Sequence, residues 1–223
     1  MNAAQFATQA VTDTLGRKTD VDSCLVLVER INVLMTDAFQ HFEKDDAGLA
    51  CRMGCNFCCH LRVMILPHEA IALFRYMGSR MPASQAQAIR ERIRANAEEI
   101  RKRTQEGRNP TGIPCAFLVD GKCSAYEARP AACSGYHSLS KARCQSAYES
   151  ADHSADAIPM LNALRYVAAT LDEGVEQALM AAGLNTERIE LHTALAALMK
   201  NPALIERWRS GRPLSASSRK GSG

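Results

Sequence analysis

Four cysteines fall inside nine residues of this chain, in the run Cys51-Arg52-Met53-Gly54-Cys55-Asn56-Phe57-Cys58-Cys59. Four more follow at Cys115, Cys123, Cys133 and Cys144, so eight of the nine cysteines lie in two clusters. Exposed thiols at that density oxidise and cross-link unless something holds them. Chain length gives no other reason for them, because 223 residues can bury a core without covalent staples. An odd count of nine also makes a poor disulfide framework. The first ten residues, Met-Asn-Ala-Ala-Gln-Phe-Ala-Thr-Gln-Ala, lack the basic start, apolar block and cleavage site of a signal peptide. The expected compartment is therefore the cytoplasm, where thiols stay reduced. The expected partner of the thiols is a metal ion or cluster.

Thiolate donors select zinc, iron or other soft metals and exclude magnesium and calcium. Zinc takes four ligands in a closed site, or three with an open position for chemistry. A 4Fe-4S cluster also takes four thiolates, so ligand count does not separate the two metals. On a helix, the spacings of four and three would put Cys51, Cys55 and Cys58 on one face. Cys59 would then point about 100° away. In an irregular loop, Gly54 would permit the bend that wraps the same thiols around a metal. Cys59 is open to the same site, a second one, or the core. His60, beside the cluster, is a candidate nitrogen ligand or hydrogen-bond donor to a ligand.

Outside the cysteine regions the apolar spacing is helical. Cys24, Leu27, Ile31, Leu34 and Ala38 form one face of a helix from Asp22 to about Phe42. Cys24 on that face reads as a small core hydrophobe. Pro67 opens a second helix, with Glu69 near its positive end and Ala70, Leu73, Phe74 and Met77 behind. Ala83 to about Glu106 is a third, with Ala86, Ile89, Ile93, Ala97 and Ile100 as its buried stripe. The C-terminal third reads as a helical hairpin. Leu161, Leu164, Ala168, Leu171 and Val175 form one stripe, and Gly183 and Asn185 supply the break. Ile189, His192, Leu195 and Met199 form the other stripe, where His192 reads as a core histidine.

The strongest hairpin signal is Ala116-Phe117-Leu118-Val119 followed by Asp120-Gly121, which folds Cys123 back towards Cys115. The expected fold is thus mainly α: a helical scaffold with a short irregular or β-hairpin cysteine-rich metal-binding segment. One domain is expected over 1–208, its motif region at 51–136, with a disordered tail over 209–223. The apolar fraction of 47% and net charge of +3 suit a soluble globular chain and exclude a strongly basic nucleic-acid surface. No apolar run approaches the length that spans a bilayer. No nucleic-acid or membrane partner is expected, and the sequence names no protein partner.

The two clusters together resemble the YkgJ-type, or CxxCxxCC, family of zinc- or iron-chelating proteins. Cys51, Cys55, Cys58 and Cys59 match its first motif. Its second matches as Cys115-x-Phe117-Leu118…Gly121-x-Cys123-x-x-Tyr126-x-x-Arg129-Pro130-x-x-Cys133. The resemblance implies metal binding through these seven cysteines, and Cys144, outside the motif, is added because it brings the set to eight. Family members usually carry arginine directly after the last motif cysteine, where this chain has Ser134. Around the motif, Tyr126 offers a ring and a hydroxyl, Arg129 a donor to thiolates or a carboxylate partner, and Pro130 the end of a turn presenting Cys133.

The first cluster also resembles the cysteine motif of radical S-adenosylmethionine enzymes, Phe57 included. Those enzymes place it after the first strand of a β/α barrel, and this chain shows almost no strands. Flagellin lysine N-methylases are similar in their cysteine domain and its iron–sulfur binding, which tilts the expected metal slightly towards iron. No Ser-His-Asp set, phosphate loop or dinucleotide fingerprint marks an independent enzyme. The expected function is a binding, sensing or electron-transfer module. The alternative is a metal-dependent enzyme of redox or methyl-transfer type.

Overall fold

The computed structural model describes residues 3–15, 21–44, 48–52, 54–150 and 158–214. Helix α1 (Ala3–Leu15) and the long α2 (Val21–Lys44) come first. Cys24, Leu27, Val28, Ile31 and Met35 of α2 are buried at the spacing the sequence predicts, and Cys24 is a core residue. Burying each large side chain of such a stripe stabilises the fold by about 1.5–3 kcal/mol. The next pair is α3 (Pro67–Ser79) and α4 (Ala83–Gln105). Three short helices and two long ones complete the set: α5 (Ala131–Ser134), α6 (Lys141–Glu149), α7 (Asn162–Ala181), α8 (Leu191–Lys200) and α9 (Leu204–Arg209). Helix α1 packs on α7, α2 on α3, and α4 on α8, so the core lies between these layers. No helix among the described residues is long and apolar enough to cross a membrane.

The mainly helical reading holds, and the strands are minimal. Antiparallel β1 (Met64–Ile65) pairs with β4 (Ile189–Glu190), and β2 (Leu118–Val119) with β3 (Lys122–Cys123). The pairing of β4 changes the expected second helix of the C-terminal hairpin. Ile189 belongs to the strand, and the helix begins only at Leu191. The Glu190 side chain sets that boundary by accepting hydrogen bonds from the His192 and Thr193 N–H groups, at 3.1 and 2.7 Å.

Packed chain continues to the end of the described residues. Trp208 is fully buried and its Nε1 donates to the Asn185 carbonyl at 2.8 Å. Leu214 is buried in the same core. The rest of the expected tail, 215–223, lies outside the described residues.

Candidate metal centre

Between the scaffold helices the first cysteine run is a loop, so the helical-face geometry for Cys51, Cys55 and Cys58 is not the one adopted. Gly54 turns it at φ 88°, and Phe57–His60 then form a single 3₁₀ turn. Its two ends are fixed differently. At the start, Ala50 N–H donates to the Ser138 carbonyl at 2.9 Å, and Ser138 N–H donates to Cys51 Sγ at 3.2 Å. At the end, Cys115 N–H donates to the Cys59 carbonyl at 2.7 Å, and Gly112 N–H to the His60 carbonyl at 2.8 Å.

The expected hairpin forms between Cys115 and Cys123. Asp120 and Gly121 both have positive φ, 48° and 73°, the backbone a two-residue hairpin turn demands. Leu118 pairs with Cys123 across the ladder. The turn leans on the first loop: a side chain added at Gly121 would stand 3.7 Å from the Asn56 amide. From below, Arg92 Nη1 donates to the Leu118 carbonyl at 2.7 Å. His192 Nε2 accepts the Ala116 N–H at 3.1 Å while its Nδ1–H donates to Glu190 at 2.8 Å. With both ring nitrogens engaged in a buried place, His192 is a core histidine that positions the backbone beside Cys115.

Helix α5 presents Cys133, and a buried carboxylate holds its first turn. Glu69 Oε1 accepts the Ala131 N–H at 2.7 Å, and Oε2 accepts the Leu66 N–H at 2.8 Å. Helix α5 also presses on α7 so closely that a Cβ at Gly135 would meet the Ala168 methyl at 2.3 Å. Ser134 is fully buried, its hydroxyl donating back to the Pro130 and Ala131 carbonyls. An arginine at 134 would have no solvent and no room. The cation on this side is Arg129, stacked 3.7 Å from the Tyr126 ring centre with its Nε donating to the Tyr126 carbonyl. Its charge acts on Cys58, Cys123 and Cys133.

Cys144 sits buried on α6, whose start is capped by the Ser140 hydroxyl. The Ser138 side chain lowers its thiol while burial raises it. The Ser138 hydroxyl donates to the Ser140 carbonyl at 3.1 Å and its N–H to Cys51 Sγ, so one serine joins the first loop to the start of α6. His60 does not aim at the thiols through Nδ1, which donates to the Asn56 carbonyl at 3.2 Å, and its ring lies against Tyr148.

None of the nine cysteines is in a disulfide. Burial pushes the Cys51 thiol up to about 11 and Cys115 up to about 12, and it raises Cys123, Cys133 and Cys144 as well. Cys58 is raised first by its hydrogen bond to Cys59 and then by burial. Among the described residues no three His, Cys, Asp or Glu side chains already stand as a ready metal site. The donor chemistry nevertheless fits zinc or iron, since the sulfurs act on one another and face almost no competing acceptor. Cys51 and Cys144 both feel Cys55 and Cys58, while Cys133 feels Cys58, Cys115 and Cys123.

The architecture and the thiols define a helical protein with a cysteine-rich segment. Residues 50–154, just under half of the chain, match the model of the CxxCxxCC family, described as "Putative zinc- or iron-chelating domain". Curated proteins and solved structures provide no match to the chain. Residues that sequence reasoning passed over include Ser138, Glu190 and the reach of Glu69 to Ala131. The position of Glu69 three residues after Leu66 is a helix-start signal. Nothing in the sequence marks its second partner, 62 residues away.

Proposed function

We propose that this chain is a cytoplasmic metal-binding module in which Cys51, Cys55, Cys58, Cys59, Cys115, Cys123, Cys133 and Cys144 hold zinc or iron. Iron as a 4Fe-4S cluster is the favoured form, serving sensing or electron transfer. One observation carries this reading: eight half-buried or buried thiols from separate stretches of chain gather around one loop with no disulfide among them. A bound cation would take up the thiolates, with their protons released to solvent.

The enzyme alternative needs a place for substrate beside the sulfurs. Phe57, Cys58, His60, Tyr136, Cys144 and Tyr148 line a crevice of about 10 Å³. That is room for about one water and far below the roughly 300–1,000 Å³ of small-molecule sites. Its walls are mostly apolar, with no poised acid–base pair, which favours the binding module.

The test is anaerobic purification of the full chain followed by metal analysis and absorption spectroscopy. A brown protein with iron and sulfide in equal amounts supports the cluster form. A colourless protein holding zinc keeps the module and removes the cluster. Protein that takes up neither metal after reduction of its thiols overturns the reading.

A further inference from the structure

Tyr136 belongs to the walls of two recesses. One is the small crevice beside Cys58 and Cys144. The other is a cleft of about 480 Å³ bordered by α5, α7 and the segment 158–160, with no cysteine in its lining. That volume lies within the roughly 300–1,000 Å³ of small-molecule sites. Small residues form its floor, Ala132 and Gly135 on one side and Ala168 and Ala169 on the other. Met160 adds an apolar wall. Its segment is held by the Leu139 N–H donating to the Pro159 carbonyl at 2.8 Å and the Leu161 N–H to the His137 carbonyl at 2.9 Å.

Two charged side chains border this floor, Arg165 and Asp172, both on α7. A spacing of two helical turns puts them on one face, about 10 Å apart along the axis. Arg165 has no ion pair among the described residues. Asp172 shares the Arg188 guanidinium with Glu176, at 2.8 and 2.6 Å, so two carboxylates face one cation. Burial raises the Asp172 carboxyl despite that cation, as happens to a carboxylate short of positive charge. The cleft is therefore positive at one end and negative at the other, with apolar surface between.

We infer that this cleft binds a small ω-amino carboxylate, its carboxylate on the Arg165 guanidinium, its methylene chain over the alanines and its ammonium on Asp172. A simple carboxylate would leave Asp172 short of positive charge, and a simple amine would leave Arg165 unpaired. The site is separate from the thiols and does not rest on the metal-binding reading. Its occupant would touch the thiol region only through Tyr136 and the wall at 158–160.

Isothermal titration calorimetry of the reduced full chain tests this with 6-aminohexanoate, hexanoate and hexylamine as probes. 6-Aminohexanoate should bind at a single site, and each singly charged probe should bind it at least about tenfold more weakly. Arg165→Gln should bring 6-aminohexanoate down to the affinity of hexylamine. Ala169→Leu keeps both charges but fills the floor, and should abolish binding. Arg165 and Ala169 are both exposed, so neither substitution removes a core contact, and circular dichroism checks that the helices persist. No binding of 6-aminohexanoate would overturn the site. So would equal affinity for hexanoate or hexylamine, or unchanged affinity in either folded variant. None of these readouts uses a metal, so their failure leaves the metal-binding reading untouched.

Discussion

The helical scaffold and the cysteine segment hold their shapes by different means. Helices α1 to α4, α7 and α8 present apolar stripes to one another, and a side chain lost there costs burial and leaves a void. Between Ala50 and Ile65, and again between Thr111 and Ser140, regular structure shrinks to two-residue strands and single turns. There a few residues, Ala116, Phe117, Ala125 and Ala128, reach the core, and the rest of the chain is kept in place by single hydrogen bonds thrown across from the scaffold. Arg92, Glu69 and His192 each supply one, and the Asn32 amide reaches the Glu127 and Arg129 carbonyls at 3.1 and 2.8 Å. The cysteines thus lie where regular structure is thinnest, on a segment that a metal would complete.

The largest expected effect separates the two regions directly. Stripping metal with a chelator should leave helical circular dichroism nearly intact while amide exchange in 50–62 and 112–146 accelerates by orders of magnitude. Structural zinc sites supply about 10 kcal/mol or more to the segments they hold. Uniform loss of helix on chelation would show that the scaffold depends on the segment. In the opposite direction, Trp208→Ala should cost about 3–5 kcal/mol in urea unfolding, and folded protein should bind as much metal as before.

Glu69 sits at the seam and should report on both regions. Glu69→Ala leaves two buried N–H groups without acceptors, at a cost of about 2–4 kcal/mol. It should also free α5 and weaken metal retention through Cys133. A stability loss with unchanged metal affinity would place the seam elsewhere. The smallest effect is a pH slope. Burial, then the nearby Asp172, push the Glu69 carboxyl up from 4.5 to about 7. The unfolded chain ionises near 4.5, so through that window it sheds a proton that the folded chain keeps. This contribution to stability is full below pH 4.5 and is lost as the pH rises to about 7. Glu69→Gln should flatten that part of the unfolding profile, and an unchanged slope would assign it to another group.

The scaffold was legible from the sequence because apolar period and core burial are the same physical fact. The stripes through Leu27 and Ile31, Ile89 and Ile93, and Leu164 and Leu171 all lie in the core. The hairpin was legible too, since Asp-Gly dictates its own backbone. Where the period misled, at Ile189, a strand pairing with Met64–Ile65 claimed a residue whose spacing suited a helix. The cysteines announced themselves by number, but their anchors did not. Ser138 is one serine among many, and its contact with Cys51 exists only because residues 87 positions apart meet. The same holds for Ser134, whose departure from the family's arginine becomes intelligible only beside the Gly135–Ala168 approach.

The hydrogen bonds around the second half of the cysteine loop close on themselves. From His60 the chain runs to β1, which pairs with β4. One turn later His192 holds Ala116, and its neighbour Cys115 is bonded back to Cys59. Such a ring behaves like a hoop rather than a hinge. Cutting one bond leaves both flanks tethered, so this side of the loop cannot swing outward as a flap. Among the described residues, the start of the loop is tied to Ser138 by one backbone N–H on the Cys51 sulfur and one N–H from Ala50 to its carbonyl, a seam rather than a ring.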